Sequence, residues 1–161
     1  MASKKMKRFW LLKSEPETFS IQDLGKLPQK TTFWDGVRNF QARNMLRDQV
    51  QIGDGVIFYH SSADPPVVAG TAIVVRAGSP DPSQFDKEDD HHDPKSTREE
   101  PLWYGVHIKL DKIFKRPLPL EELRAIPGLK DMVLLQKGSR LSVQPVTFDE
   151  WHIITALGAK K

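Results

Sequence analysis

The sequence contains no cysteine. This absence excludes disulfide bonds, thiolate-ligated metal sites and a cysteine nucleophile. No apolar run approaches the ~18 residues that a membrane-spanning helix needs. The basic start of the chain is not followed by the apolar stretch and cleavage site of a signal peptide. We therefore expect a protein without disulfides that has no membrane partner.

The common motifs of nucleotide and hydrolase chemistry are also missing. No GxGxxG, P-loop, HExxH or GxSxG pattern occurs in the chain, so these activities have no local support. The neighbouring His91, His92 and Asp93 are the one candidate metal cluster, because imidazole and carboxylate groups bind zinc. Adjacent side chains chelate one ion poorly, and a solvated acidic loop is the favoured interpretation. We expect no metal, no cofactor and no catalytic residue.

Positive charge is not in excess between the two ends of the chain. The 161 residues include 24 Lys and Arg against 21 Asp and Glu, but residues 1–8 and 160–161 hold six of the basic ones. The remaining body therefore has a net charge of −3, and residues 86–101 are its most acidic part. Such a body lacks the positive excess that grips a long duplex through its phosphates. Any nucleic-acid binding must depend on local charge and a specific pocket.

The hydropathy pattern alternates between short strands and short helices. A chain of this length buries a real core and is expected to form one domain. Strands are predicted at 9–12, 56–59, 67–75, 102–114 and 141–144. Helices are predicted at 20–25, 38–49, 119–126, 129–135 and 147–157. Loops are predicted at 31–36 and 78–101. The pattern predicts an α+β fold with a mixed or antiparallel sheet. The domain is expected to span residues 9–158, between a basic disordered tail at 1–8 and a short tail at 159–161.

Several single residues indicate where these elements begin, bend or end. Ser20 and Thr147 each stand three positions before an acidic residue, which is the pattern of a helix capping box. Gly70 inside a strand indicates a bulge or a close backbone approach. Pro145 is expected to end the strand that begins at Leu141.

The segment from Trp34 to Asn39 is the most informative for function. A tryptophan before the Asp35-Gly36 turn either fills the core or forms the wall of a pocket, and composition leaves both open. An arginine and an amide, Arg38 and Asn39, follow the turn, and such groups stack on a flat ring and read its edge. If Trp34 is a pocket wall, replacing it with alanine is expected to abolish binding and leave the fold intact.

Other candidate residues lie at the ends of predicted strands. Ser14 and Glu15 offer a hydroxyl and a carboxylate to a ligand, although a plain turn with an exposed acid is the commoner outcome. His60 beside Ser61 suggests a nucleophile only weakly, because adjacent strand residues point to opposite faces. A hydrogen-bonded structural histidine is the favoured interpretation there. Arg140 is a candidate for phosphate contact, and a plain edge strand is the alternative.

Together these segments resemble the EVE domain family, a branch of the PUA-like superfamily. The resemblance covers nearly the whole chain and rests mainly on residues 10–16, 34–44, 58–61 and 140–145. It implies a PUA-like fold, in which a curled mixed β-sheet or pseudo-barrel is surrounded by short helices. It also implies a pocket similar to that of modified-base readers such as YTH domains, thought in this family to receive methylated or hydroxymethylated cytosine.

The resemblance also implies which residues border the pocket. Carried over position by position, they are Lys13, Ser14, Glu15, Trp34, Val37, Arg38, Asn39, Tyr59, His60, Ser61, Arg140, Leu141 and Ser142. In this interpretation an extruded base stacks on Trp34, while Ser14, Glu15 and Asn39 form hydrogen bonds with its edge.

The sequence thus predicts a non-enzymatic module that binds DNA or RNA carrying a modified base. Two alternatives use the same pocket. One is an enzyme acting on a modified nucleoside, with Glu15 or His60 as general base, and the other is a small-molecule sensor or adaptor. The expected location is cytoplasmic, or nuclear if the source is eukaryotic and residues 4–8 act as a signal. The sequence leaves the oligomeric state open.

Overall fold

The computed structural model describes residues 7–137 and 141–159, and a six-stranded sheet lies at its centre. The strands are β1 (Phe9–Ser14), β2 (Thr31–Trp34), β3 (Gly55–His60), β4 (Val67–Pro80), β5 (Tyr104–Pro119) and β6 (Val143–Val146). Their order across the sheet is β2-β5-β4-β3-β1-β6. β1 and β3 are parallel, and the other neighbours are antiparallel. The predicted α+β fold with a curled mixed sheet is confirmed.

Short helices surround this sheet, as the sequence predicted. They are α1 (Ile21–Lys26), α2 (Phe40–Asn44), α3 (Leu120–Arg124) and α4 (Phe148–Gly158). A π-helical turn, Met45–Gln49, continues α2, and 3₁₀ turns lie at Pro28–Lys30, Pro82–Phe85, Pro127–Leu129 and Val133–Leu135. Both predicted capping boxes are formed, by Ser20 before α1 and by Thr147 before α4. No helix among the described residues is both long enough and apolar enough to cross a bilayer.

The sheet buries side chains on both of its faces. In β1, Trp10 belongs to a first core and Leu11 to a second. In β3, Phe58 belongs to the first core and Tyr59 to the second. Because neighbouring strand residues point to opposite faces, this division decides which strand-end side chains reach the same side of the molecule.

Bulges bend the two longest strands, β4 and β5. The pairing register between them shifts next to Gly70, where an added Cβ would collide with the carbonyl oxygen of Lys112. The close approach predicted for Gly70 is therefore confirmed. Bulges increase local twist and bend the strands that contain them, which contributes to the curl of the sheet.

Several predicted assignments are wrong, and the helix predicted at 129–135 is replaced by the 3₁₀ turns Pro127–Leu129 and Val133–Leu135. Residues 31–36 were expected to be a loop, but Thr31–Trp34 form β2 and pair with β5, with Trp34 opposite Val106. Long-range pairing supplies the hydrogen bonds that the local pattern did not reveal. Pro145 lies inside β6, opposite Trp10, instead of ending the strand. β6 is an edge strand, and an edge position tolerates the missing N–H of proline.

The acidic segment after β4 has little regular structure, as predicted, but buried hydrogen bonds fasten it to the domain. The fully buried Gln84 donates from its side-chain nitrogen to the carbonyls of Asp81 and Trp103, at 2.7 and 2.8 Å. Its side-chain oxygen accepts the backbone N–H of Trp103 at 2.9 Å. The Trp103 indole in turn donates to Asp93 at 2.7 Å. The segment is thereby held against the start of β5.

The predicted limits of the domain and its tails stay predictions. Residues 1–6 and 160–161 lie outside the described residues, and so do residues 138–140.

Candidate functional site

A cavity of about 640 Å³, here called the strand-end cavity, opens where β1 and β2 end. Seven of the predicted pocket residues border it: Lys13, Ser14, Glu15, Trp34, Val37, Arg38 and Ser142. Seven further residues, none of them among the predicted pocket residues, also line it: Thr18, Phe19, Thr32, Phe33, Asp35, Gly36 and His91. Its volume is typical of small-ligand pockets.

Trp34 both fills the first core and lines the strand-end cavity. Its side chain is only 8% exposed, and its ring packs edge-to-face on Phe58 with 5.4 Å between ring centroids. Phe19 packs against it at 6.3 Å, also edge-to-face. The two interpretations that composition left open are therefore both realised. The aromatic wall is rigid because the core holds it.

Three side chains of the lining, Ser14, Glu15 and Asp35, can accept hydrogen bonds. The Ser14 hydroxyl donates to the Phe19 carbonyl at 2.5 Å, so its oxygen remains available as an acceptor. Glu15 is exposed, and its carboxylate has no hydrogen bond or ion pair within residues 7–137 and 141–159. Partial desolvation, assisted by the nearby charge of Asp81, raises the pKa of Asp35. These side chains are suited to ligand N–H groups that donate hydrogen bonds.

Arg38 lines the cavity, but its guanidinium is fully occupied by the protein. Its Nε and Nη2 donate to the His91 carbonyl at 3.1 and 2.6 Å. Nη1 donates to the Val37 carbonyl and to Asp81, and Nη2 also donates to Ser83. The guanidinium stacks over the Trp103 ring at 5.2 Å. With its five N–H donors engaged, Arg38 is held in the cavity wall by the protein, and its role at a ligand edge stays a prediction.

The acceptor at the centre of this network is the fully buried Asp81. Its carboxylate receives the Gly36 backbone N–H at 2.8 Å, Arg38 at 3.1 Å and the Ser83 hydroxyl at 2.6 Å. Burial by itself would raise the pKa of Asp81, but the hydrogen bonds from Ser83, Gly36 and Arg38 outweigh it and lower the pKa. Asp81 therefore stays ionised and fixes the turn after β2 to the 3₁₀ turn after β4.

His91 reaches the cavity because the acidic segment folds back over the Gly36 turn. Gly36 has a φ of +78°, and a Cβ there would lie 2.8 Å from the His91 ring. Glycine is thus needed both for the backbone conformation and for the close approach. His91, His92 and Asp93 form no metal centre, because no group of three suitable ligands occurs within the described residues.

Two predicted pocket residues are used to support helices instead. Asn39 caps α2, and its side-chain oxygen accepts the backbone N–H of Ala42 at 2.9 Å. His60 accepts the Ile21 backbone N–H through Nε2 at 3.1 Å, and its burial lowers its pKa. The favoured interpretation of His60 as a hydrogen-bonded structural residue is confirmed. Neither side chain borders the strand-end cavity.

The other predicted residues outside this cavity follow from the direction of the strands. Tyr59 is buried in the second core, on the opposite face of β3 from Phe58. Ser61 donates its backbone N–H to the Ser14 carbonyl at 2.9 Å and so extends the pairing of β1 and β3. Leu141 packs against the first core. Arg140 lies outside the described residues.

Some of the missed lining residues had a signal in the sequence. Thr32 shares a strand face with Trp34, but the prediction of a loop at 31–36 leaves out this alternation of side chains. Phe19 is placed by the turn after Glu15, whose carbonyl accepts the N–H groups of Thr18 and Phe19. The contact of His91 spans more than fifty residues and has no local signal.

Comparison with known proteins places these features in a family context. A sequence model of the EVE domain matches residues 8–157. Human thymocyte nuclear protein 1 is 41% identical over 175 aligned positions, which cover 98% of this chain and 77% of the relative. A crystal structure of human THYN1 in complex with DNA containing 5-methylcytosine has a TM-score of 0.90 at 40% identity, covering 96% of this chain and 99% of that chain. A Pseudomonas syringae protein of known structure has a TM-score of 0.88 at 46% identity, covering 93% and 99%.

Proposed function

The chain belongs to the EVE domain family, and from this premise we propose that it is a non-enzymatic module that binds nucleic acid carrying a modified base. The proposed base is a methylated or hydroxymethylated cytosine held in the strand-end cavity. The observation that carries the proposal is the relative of the same fold, 40% identical, in complex with 5-methylcytosine DNA. DNA is therefore the first ligand to test, and RNA with the same base is the second.

The cavity offers a physical basis for choosing cytosine. A cytosine presents an exocyclic amine, a hydrogen-bond donor, where thymine presents a carbonyl oxygen. The acceptor groups of Ser14, Glu15 and Asp35 would accept hydrogen bonds from the amine and repel the carbonyl. The apolar surfaces of Trp34 and Val37 would contact the ring and a 5-substituent.

The mechanism requires a base outside the helical stack. Stacking of a base on an aromatic wall contributes ~1–3 kcal/mol. Extruding a base from a duplex costs a few kcal/mol, so single strands and weak pairs are expected to bind better than a stable duplex. The body of the chain has a net charge of −3, so affinity should be concentrated in the cavity.

His60, one of the two candidate general bases of the enzyme alternative, is already engaged by the protein. The Nε2 lone pair of His60 is taken by the Ile21 N–H, which leaves Glu15 alone in that role. We expect a panel of modified nucleosides to be recovered unchanged after incubation with the protein and chromatography. Conversion of any of them would contradict the non-enzymatic proposal. We propose a cytoplasmic location, or a nuclear one in a eukaryotic cell.

Tryptophan fluorescence provides a direct test, because Trp34 borders the cavity. Matched single-stranded oligonucleotides with cytosine, 5-methylcytosine or 5-hydroxymethylcytosine would be titrated at two salt concentrations. The expected result is tighter binding of a modified strand, with a preference that changes little with salt. Equal binding that disappears with added salt would contradict the proposal and would assign the interaction to the basic tails.

Free nucleosides separate a reader from a sensor. If a free modified nucleoside binds as tightly as the oligonucleotide that contains it, the small-molecule sensor is the correct interpretation. If the oligonucleotide binds more tightly, the nucleic-acid reader is supported.

A further inference from the structure

A second cavity of about 480 Å³ lies on the opposite side of β1 from the first core. It is bordered by the end of β3, by α3 and by the 3₁₀ turn Val133–Leu135. Leu120, Leu134 and Leu135 supply apolar surface to its lining. Lys13 borders both this second cavity and the strand-end cavity. The two cavities are therefore neighbours that share one cationic residue.

The polar lining of the second cavity is strongly cationic. Lys13, Arg124 and Lys137 all border it, together with Tyr59, and no Asp or Glu among the described residues does so. Arg124 is exposed and forms no ion pair within the described part of the chain. The Tyr59 hydroxyl likewise has no hydrogen-bond partner there. Donors and positive charge thus converge on a space in which the protein supplies no counter-charge.

The surroundings of these groups favour an anion. Burial lowers the pKa of Lys13, because a desolvated ammonium has no compensating charge nearby. Burial also raises the pKa of the Tyr59 phenol, which therefore stays a neutral donor, and Arg124 is near enough to act on it in the opposite direction. Arg, Lys and Tyr donors on an apolar floor form a suitable environment for phosphate oxygens, since charge-assisted bonds are stronger where water is scarce.

We propose that the second cavity binds a backbone phosphate of the strand whose base enters the strand-end cavity. The proposal rests on the function proposed above and assigns Lys13 to the boundary between base and phosphate. Such a contact would fix the register of the strand without reading its sequence. It would also explain how a body with a net charge of −3 retains a local attraction for nucleic acid.

Arg124→Gln tests the contact without disturbing the core, because Arg124 is an exposed residue in α3. We expect weaker binding of modified and unmodified oligonucleotides alike, with the ratio of the two affinities unchanged. The plot of log K against log salt should become shallower by about 0.9, the value for one lost phosphate contact on a duplex, or about 0.7 on a single strand. Lys26→Gln, an exposed charge removed elsewhere, is the matched control and should leave the slope as it is. An Arg124→Gln protein with wild-type affinity and slope would overturn the proposal.

A neutral linkage identifies the source of the phosphate. A single methylphosphonate placed next to the modified base should weaken binding by the wild-type protein to the level of Arg124→Gln. The same linkage should have no further effect on Arg124→Gln. If no position of the neutral linkage affects binding, while inorganic phosphate shifts NMR signals of α3 in the wild type only, the cavity takes free phosphate and the backbone proposal is wrong.

The two proposals fail in different ways. Suppose that neither the wild type nor Arg124→Gln prefers the modified strand, but that the plot of log K against log salt is still shallower for Arg124→Gln. The phosphate site is then supported and the reader function is contradicted. If both proteins prefer the modified strand and the slope of log K against log salt is the same in both, the reader function is supported and the phosphate site is contradicted.

Discussion

At the scale of single residues, Trp34 shows how a pocket wall becomes part of the core. Its ring is packed by Phe58 and Phe19 and is almost fully buried. The expectation that Trp34→Ala would leave the fold intact is therefore revised. Truncating a buried aromatic side chain costs ~3–5 kcal/mol, which is a large part of the stability of a small domain.

We predict that Trp34→Ala lowers the free energy of unfolding by about this amount, measured by urea denaturation. Trp34→Phe keeps an aromatic ring in the site and should lose less stability, while it weakens binding of the modified strand. The comparison separates packing from recognition. A Trp34→Ala protein as stable as the wild type would show that the ring does not support the first core.

Glu15 is the side chain most available to a ligand, and it provides a cleaner test of recognition. Hydrogen bonds that involve a charged group contribute ~1.5–3 kcal/mol, so Glu15→Gln should weaken binding of the 5-methylcytosine strand about tenfold or more. Glu17 is also exposed but does not border the cavity. Glu17→Gln should therefore leave the fluorescence titration unchanged. Equal affinities for the two variants would remove Glu15 from the site.

At the scale of secondary-structure elements, the shape of the cavity depends on how the segment after β4 is attached to the turn after β2. The ion pair of Arg38 and Asp81 makes this attachment, with the Asp81 side chain fully buried. The Gly36 backbone N–H and the Ser83 hydroxyl also donate to Asp81 and strengthen this attachment. The part of the cavity lining that includes His91 is therefore held in place by residues that lie far apart in the sequence.

Removing Arg38 tests this attachment. We expect Arg38→Gln to cost ~2–3 kcal/mol, because it leaves the buried Asp81 carboxylate with fewer donors, and to weaken ligand binding by loosening the wall. Arg47→Gln is the matched control, since the pair of Arg47 and Asp48 is exposed and such pairs contribute ~0–1 kcal/mol. Urea denaturation of both variants measures the difference. Similar losses in the two would show that the Arg38 network does not stabilise the domain.

At the scale of the whole molecule, the same network links stability to pH. The pKa of Asp81 is lowered in the folded state. A carboxyl group with a lowered folded-state pKa contributes stability above its unfolded value, near 4, and this contribution is lost as the pH falls further. The domain should therefore lose stability in acid.

The difference in unfolding free energy between wild type and Asp81→Asn isolates this contribution. It should be largest near neutral pH and should shrink as the pH falls below about 4. Denaturation at a series of pH values measures it. A difference that stays constant down to acid pH would mean that the charge of Asp81 does not stabilise the fold.

Short-range patterns in the chain were enough to predict most of the local elements and the neighbourhood of the site. Capping boxes marked α1 and α4 because their hydrogen bonds join residues three positions apart. β-Branched and aromatic residues predicted β3, and alternation of apolar and polar residues predicted β5. The strand-end residues Ser14 and Glu15 were recognisable from their chemistry and from the family resemblance.

Which of these residues share a cavity depends on how the strands and turns pack together. Tyr59 and Ser14 both lie at strand ends, but the two faces of the sheet separate their side chains. Arg38 has the chemistry of a ligand-binding residue, yet the distant Asp81 and His91 occupy its donors. Local sequence patterns do not predict such contacts, because long-range pairing and burial arise only when the sheet has assembled.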